Sequence, residues 1–172
     1  MLPFTVAFAA AFLALLGKIF FDRWDRHHQR SGIAAALAGE IGAYIKQLDP
    51  PATLAAYRRL ATFDHEMRRR RLRSMLKTPT GHPVFDKVAD KIGLLPASEA
   101  LDVSSIYNVV TGMRIIISSL SSDEIANADD EVQVAILGKI ADTIEQNYPV
   151  AQNLVERLKR ISDQGFWCSL GS

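Results

Sequence analysis

The sequence predicts an all-α protein: an N-terminal transmembrane helix continuing into a stalk, followed by a helical bundle. Three observations carry this. The first seventeen residues hold no charged side chain, and Ile19-Phe20-Phe21 extends the apolar run past the single Lys18. Each later segment of any length repeats its apolar residues at helical spacing. The β-branched run Ile115-Ile116-Ile117 has no neighbouring segment to pair with as a strand.

The opening segment, 1–21, reads as a membrane span. About twenty helical residues at roughly 1.5 Å each cross a hydrocarbon core of roughly 30 Å, and Pro3 stands where a first turn accepts it. A cleaved secretory signal needs a basic start and a small-residue cleavage site, and neither is in place. A core helix has to bury apolar residues pointing in every direction. Lys18, Arg23, Arg26 and Arg30 all follow the apolar run, so the positive-inside rule places the N-terminus outside and the body in the cytoplasm. Lys18 is expected to snorkel and Trp24 to sit at the interface. These five residues form the expected membrane-interface set.

From 22 to 48 no breaking residue interrupts the helix, which is read as a juxtamembrane stalk with Asp22 paired to Arg26. Ile33, Leu37, Ile41 and Ile45 recur every four residues. Ala35 with Gly39, and Ala38 with Gly42, are small residues four apart that allow a second helix to approach closely. They are candidates for self-association, against packing within the chain.

The bundle spans 49–165. Asp49 offers a cap, and Pro50 suits a first helical position. A single helix is expected over 52–77, returning antiparallel beside the stalk, with Leu54, Tyr57, Leu60, Phe63 and Met67 on one face. Thr78 to Pro83 reads as a loop, and Val84 to Ile92 as a short helix stopped at Gly93. A longer helix follows to about Leu120, with Val103, Ile106, Val109, Val110, Met113, Ile116, Ile117 and Leu120 inward. Ser121 to Glu124 turns into a last helix over roughly 129–162, kinked or split at Pro149. A short tail, 166–172, carries Phe166-Trp167-Cys168, which is expected to dock.

The net charge of +1 conceals a gradient of +7 over residues 1–91 and −6 over 92–172. A basic half next to an anionic leaflet fits a tethered body; a merely solvated surface is the plain alternative. The single Cys168 excludes an internal disulfide framework.

Little of the sequence points to chemistry. His27 and His28 are adjacent, so one helix face cannot present both to a metal, and headgroup contact is the better reading. Asp64-His65-Glu66 resembles an acid–base cluster, but consecutive helical residues diverge by about 100°. No phosphate loop, nucleophile elbow or zinc spacing occurs. Catalysis is disfavoured, and no cofactor or metal is implied. Arg68, Arg69, Arg70, Arg71 and Arg73 form the strongest local signal, a cluster seeking phosphate or carboxylate. Nucleic acid is disfavoured because no interleaved aromatic accompanies the cluster. Anionic lipid or an acidic protein surface fits better, beside the plain reading of a solvated basic helix end.

The stretch from Arg23 to Tyr107 resembles small uncharacterised bacterial proteins with a single N-terminal anchor. The residues carrying this are Ala36 to Ile41, Pro83-Val84-Phe85-Asp86, Ile92-Gly93-Leu94-Leu95-Pro96 and Ile106-Tyr107. The resemblance implies a bacterial inner-membrane protein with a helical cytoplasmic body and supplies no functional residues. Physically, Phe85, Leu94 and Leu95 read as core plugs, and Gly93 as a left-handed or close-packed position. The expected function is a membrane-anchored, non-enzymatic scaffold, adaptor or accessory subunit with the bilayer and a protein as partners. The alternative is a membrane-tethered binder of lipid headgroups or a small anion through the arginines.

Overall fold

The structure is a computed structural model that describes residues 2–74, 82–120 and 128–166, with the side chains of the first helix taken from Phe12 onward. Six α-helices and one 3-10 helix make up the described residues: α1 (Leu2–Leu48), α2 (Pro50–Ala61), α3 (His65–Ser74), α4 (Pro83–Val88), the 3-10 helix (Ala89–Leu94), α5 (Ala97–Leu120) and α6 (Asp130–Asp163). The expected all-α helical bundle is present.

The long α6 is the element on which the others are laid. Pairs of contacting residues show how α1 and α2 run along it. The Ser31 hydroxyl donates to the Ser162 carbonyl at 2.7 Å, and Gly42 faces Val155. Further along, Arg58 pairs with Glu145 at 2.6 Å and Arg68 with Asp130. Partner numbers fall as the chain advances, so α1 and then α2 both oppose α6 in tandem. The expected antiparallel return of α2 beside α1 is corrected. Asp49 makes a bend instead of a hairpin, with φ 39° and ψ 70°. A residue before proline is disfavoured in the right-handed helical region, and Asp is among the few that tolerate the left-handed one. The Asp49 carboxylate makes no capping hydrogen bond; its carbonyl accepts from the Thr53 amide at 2.9 Å.

Two cores result. The C-terminal half of α6 (Ala151, Leu154, Val155, Leu158, Ile161) packs with Ile33, Leu37 and Ile41 of α1, Val103, Ile106 and Tyr107 of α5, and Leu95. The N-terminal half (Leu137, Ile140, Ala141) packs with Tyr57 and Leu60 of α2 and Leu72 of α3. From Ile33 to Ile41 the segment read as a stalk buries one face in this core, while its first part, from Asp22 to Gln29, is mostly exposed. Leu95 is buried as expected, with Phe85 and Leu94 partly so. Gly93 continues the 3-10 helix, and a Cβ there would meet open space, so neither role assigned to it holds. Pro149 lies inside an uninterrupted α6 rather than splitting it. Both halves of α6 pack into a core, and that packing outweighs the single lost amide.

The expected transmembrane helix is corrected. Among the described residues no helix is long and apolar enough to cross a membrane. The described apolar run of α1, Phe12 to Phe21, covers about 15 Å, half of a hydrocarbon core. The part of the expected span before Phe12 lies outside the described side chains. Nor is the described run apolar all round. At 100° per residue, Leu15, Ile19, Phe12, Leu16, Phe20 and Leu13 fall within an arc of about 160°, with Ala14 and Lys18 opposite, Asp22 bordering the arc beside Leu15, and Phe21 the exception. The inner-membrane location, the N-outside topology and the bilayer as a partner all rested on that span and fall with it.

The single helix expected over 52–77 breaks at 62–64, between α2 and α3. Asp64 starts α3, its Oδ1 accepting from the Met67 amide at 2.8 Å. Arg68 closes the end of α2, its guanidinium donating to the carbonyls of Leu60 (3.1 Å), Ala61 (3.3 Å) and Phe63. The loop expected over 78–83 and the turn at 121–124 lie almost wholly outside the described residues. At the other end Phe166 is buried, its ring 4.8 Å from Trp24 and 5.4 Å from Phe20. Phe166, the first residue of the tail, thus docks on α1; Trp167, Cys168 and the rest of the tail lie outside the described residues.

Candidate functional site

The bend at Asp49 leaves a gap in the wall that α1 and α2 build along α6, and α5 covers its far side. The result is a half-open cleft of about 110 Å³ at the junction of the two cores. Ile41, Tyr44 and Ile45 come from the end of α1, and Pro50, Thr53 and Tyr57 from the start of α2. Ile106, Val109, Val110 and Met113 are one face of α5 (i, i+3, i+4, i+7), and Thr143, Ile144, Asn147, Tyr148 and Ala151 line it from α6. The lining is almost wholly apolar. Three of the four tyrosines in the chain, Tyr44, Tyr57 and Tyr148, stand along it.

The fourth, Tyr107, belongs to a polar cluster behind Tyr44 that fixes the cleft wall. Glu40 is buried and accepts from the amides of Val84 (3.0 Å) and Phe85 (3.1 Å) and from the Tyr107 hydroxyl. Burial alone raises the Glu40 pKa, but the Tyr107 hydroxyl and the two amides outweigh it and hold it below the usual glutamate value. Burial and the neighbouring carboxylate push the Tyr107 phenol well above its ordinary value.

His82 occupies the centre of this cluster. Its Nε2 lies 3.1 Å from the Thr111 hydroxyl and 3.4 Å from Arg114 Nη1, and its Nδ1 lies 3.2 Å from the Tyr44 hydroxyl. Arginine can only donate, so Nε2 is the acceptor and the proton sits on Nδ1, pointing at Tyr44. Burial, followed by the Arg114 charge, lowers the His82 pKa, in keeping with a neutral ring. The Arg114 guanidinium also lies 5.6 Å over the Tyr44 ring. Tyr44 is thereby clamped by His82, just before α4, and by Arg114 of α5, while its other side faces the cleft.

The residues singled out from sequence do not converge on this site. Lys18, Arg23 and Arg26 are exposed and Arg30 half-buried along α1, while Trp24 is 6.3 Å from the Phe20 ring and packs on Phe166. Without a span, a membrane-interface role for this set has lost its premise. The arginine cluster is divided: Arg68 is 2 % exposed and ion-paired to Asp130, whereas Arg70 is exposed, 4.0 Å from Glu66. Arg69 is half-buried, Arg71 is exposed, and the Arg73 side chain lies outside the described residues. Ala38 is buried and Gly42 faces Val155 of α6, so this pair serves packing within the chain; Ala35 and Gly39 are exposed. Among the described residues no group of His, Cys, Asp and Glu is placed to hold a metal ion. His65 stands 3.6 Å from Asp130.

Sequence reasoning missed the cleft because it arises between elements. The available signal was the placement of tyrosines on otherwise apolar faces: Tyr44 next to Ile41 and Ile45, and Tyr57 between Leu54 and Leu60.

No family model, curated protein or solved structure matches the chain. The resemblance to bacterial single-pass anchored proteins is corrected on that ground and on the lack of a described span.

Proposed function

We propose that the protein is a binding module for a small apolar molecule held in the cleft between α1, α2, α5 and α6. The observation that carries this is an apolar-lined opening where two cores meet, with its wall held by the Glu40–Tyr107–His82 cluster. An apolar occupant covers the apolar lining now open at the mouth, and each Å² so covered contributes roughly 25 cal/mol. A buried apolar cavity of about 150 Å³ accepts benzene, so one ring or a short branched chain is the matching size. Binding rather than catalysis accords with the scarcity of polar atoms facing the opening. The membrane-anchored scaffold and the membrane-tethered anion binder are not retained, since both need the span.

Titration with ethylbenzene, followed by amide chemical shifts, tests the reading. Shifts should concentrate at Tyr44, Tyr57, Val110 and Ile144, and Val110→Phe should abolish them by filling the space. Shifts scattered over the surface, or unchanged in Val110→Phe, would refute it.

A second reading is favoured by the apolar arc on α1, where Phe12 is 53 % and Leu13 67 % exposed. An exposed apolar face marks a contact surface, and a second copy of α1 offers the same face to this one. Light scattering after size-exclusion chromatography would show a dimer that Leu16→Glu dissociates; a monomer at all concentrations would dismiss it.

A further inference from the structure

We infer that the cleft is regulated by acid through its wall: protonation of His82 drives Arg114 off the Tyr44 ring and weakens the hold on the occupant. This rests on the cleft being a ligand site, and it adds the regulation of that site.

The geometry is a relay of three groups. The neutral His82 ring donates from Nδ1 to the Tyr44 hydroxyl, 3.2 Å away, and accepts at Nε2, 3.4 Å from Arg114 Nη1. The Arg114 guanidinium in turn lies 5.6 Å over the Tyr44 ring. Tyr44 lines the cleft, as does Met113, the residue before Arg114. A proton added to the ring makes Nε2 a donor, so two donors and two positive charges then face each other across 3.4 Å. Thr111, 3.1 Å away, can turn its hydroxyl to accept from the new N–H. Arginine has no acceptor and does not lose its charge. Arg114 is therefore the group that must move, and it is half-buried, with solvent beside it.

Among the described residues, the other charged or titratable groups facing His82 are Glu40 and Tyr44 of α1, Asp86 of α4 and Tyr107 of α5. Glu40 is committed to the Val84 and Phe85 amides and the Tyr107 hydroxyl, and it titrates below the usual glutamate value. Both phenols are raised and stay neutral. Glu40 and Asp86 favour a charged ring, but burial and then Arg114 outweigh them and hold the His82 pKa below 6.5. The clamp is thus intact at pH 7 and is lost as pH falls through that lower value. A small apolar ligand depends on the fit of a preformed wall, so it binds the neutral form more tightly. By linkage, the bound ligand resists protonation of His82 by the same factor.

The test follows ethylbenzene, which has no titrating group, on wild-type protein and His82→Gln from pH 7 down through the midpoint of the His82 ring resonances, with amide spectra reporting the fold. Wild-type affinity should fall roughly two- to tenfold across that midpoint, the range of one lost hydrogen bond. Gln keeps an acceptor for Arg114 and a donor for Tyr44 but gains no proton, so His82→Gln should show no such fall. In wild-type protein, saturating ethylbenzene should move the His82 midpoint to a proton concentration higher by that same factor, a readout that needs no variant. If affinity is level or rises across the midpoint, if His82→Gln falls equally, if the midpoint ignores the ligand, or if the fold is lost before the ring titrates, the acid coupling is refuted while the cleft reading stands. If ethylbenzene does not bind in the cleft at pH 7, both fail together.

Discussion

Replacing Arg68 with Met should destabilise the fold by about 3 kcal/mol, though Arg68 stands in a run of four arginines that sequence alone reads as an outward-facing anion or partner contact or a solvated helix end. The last carbonyls of a helix have no partner within it. At the end of α2 the Arg68 guanidinium supplies the donors, reaching Leu60, Ala61 and Phe63. The Leu60 carbonyl keeps a second partner in the Phe63 amide at 3.2 Å. The Ala61 and Phe63 carbonyls are the acceptors at risk. A buried acceptor left unsatisfied costs about 1–3 kcal/mol; these two are part-buried, so the lower half of that range applies and together they give about 3 kcal/mol. Met preserves most of the packing of the aliphatic stem. Asp130 adds little, because its side chain is 57 % exposed and rehydrates when its partner is removed. With a urea dependence of about 2 kcal/mol per molar, the midpoint should drop by about 1.5 M. Arg70→Met, at a side chain 84 % exposed, should leave the midpoint where it was. If Arg68→Met shifts the midpoint by under 0.5 M, or if Arg70→Met shifts it equally, the capping argument is wrong.

The polar cluster behind the cleft makes stability acid-sensitive in two steps. His82 has a pKa lowered in the fold by burial and then by Arg114; the unfolded chain takes up its proton near pH 6.5, so stability falls as pH drops below that value. Urea midpoints should decline from pH 7 to 5.5, and His82→Gln should flatten that interval; a wild-type profile flat over it would contradict the assignment of a neutral ring. Glu40 titrates lower in the fold than in the unfolded chain, so its contribution is complete above about pH 4.5 and is lost as pH falls through its folded value. Glu40→Gln should be less stable than wild type at pH 7, and the two curves should converge as acid is added; parallel curves would count against this.

The sequence made the helices legible wherever one face had to be buried. Ile33, Leu37 and Ile41 recur at the spacing that places them in the core, and Val103 and Ile106 of α5 do the same. Boundaries set by side chains reaching back were not legible. The break at 62–64 has no Gly or Pro; it depends on Arg68 folding over the α2 carbonyls, and four consecutive arginines hide which one turns inward. The N-terminal reading failed for a related reason. It took the apolar side chains to point in every direction, whereas those from Phe12 to Phe20 keep to the arc from Leu15 to Leu13. Glu40 was equally hidden, because its amide donors at Val84 and Phe85 are more than forty residues away.

The cleft follows from a mismatch of lengths. Helix α6 offers about 50 Å of continuous surface, and Pro149 does not interrupt it. The strand of helices laid against it is broken at Asp49, because a residue preceding proline resists the right-handed helical conformation. Two helices meeting at an angle on one continuous helix cannot both stay in contact at the joint. The space left there is apolar because residues on either side continue the core faces of α1 and α2, Ile41 and Ile45 before the bend and Tyr57 after it. Helix α5 spans the joint with a face whose lower neighbours, Val103 and Ile106, are already committed to the first core. The side chains best placed to close the gap, Val110 and Met113, reach only part of the way, each half-buried. A binding site can therefore arise at the one position where proline geometry prevents the bundle from packing on its longest helix.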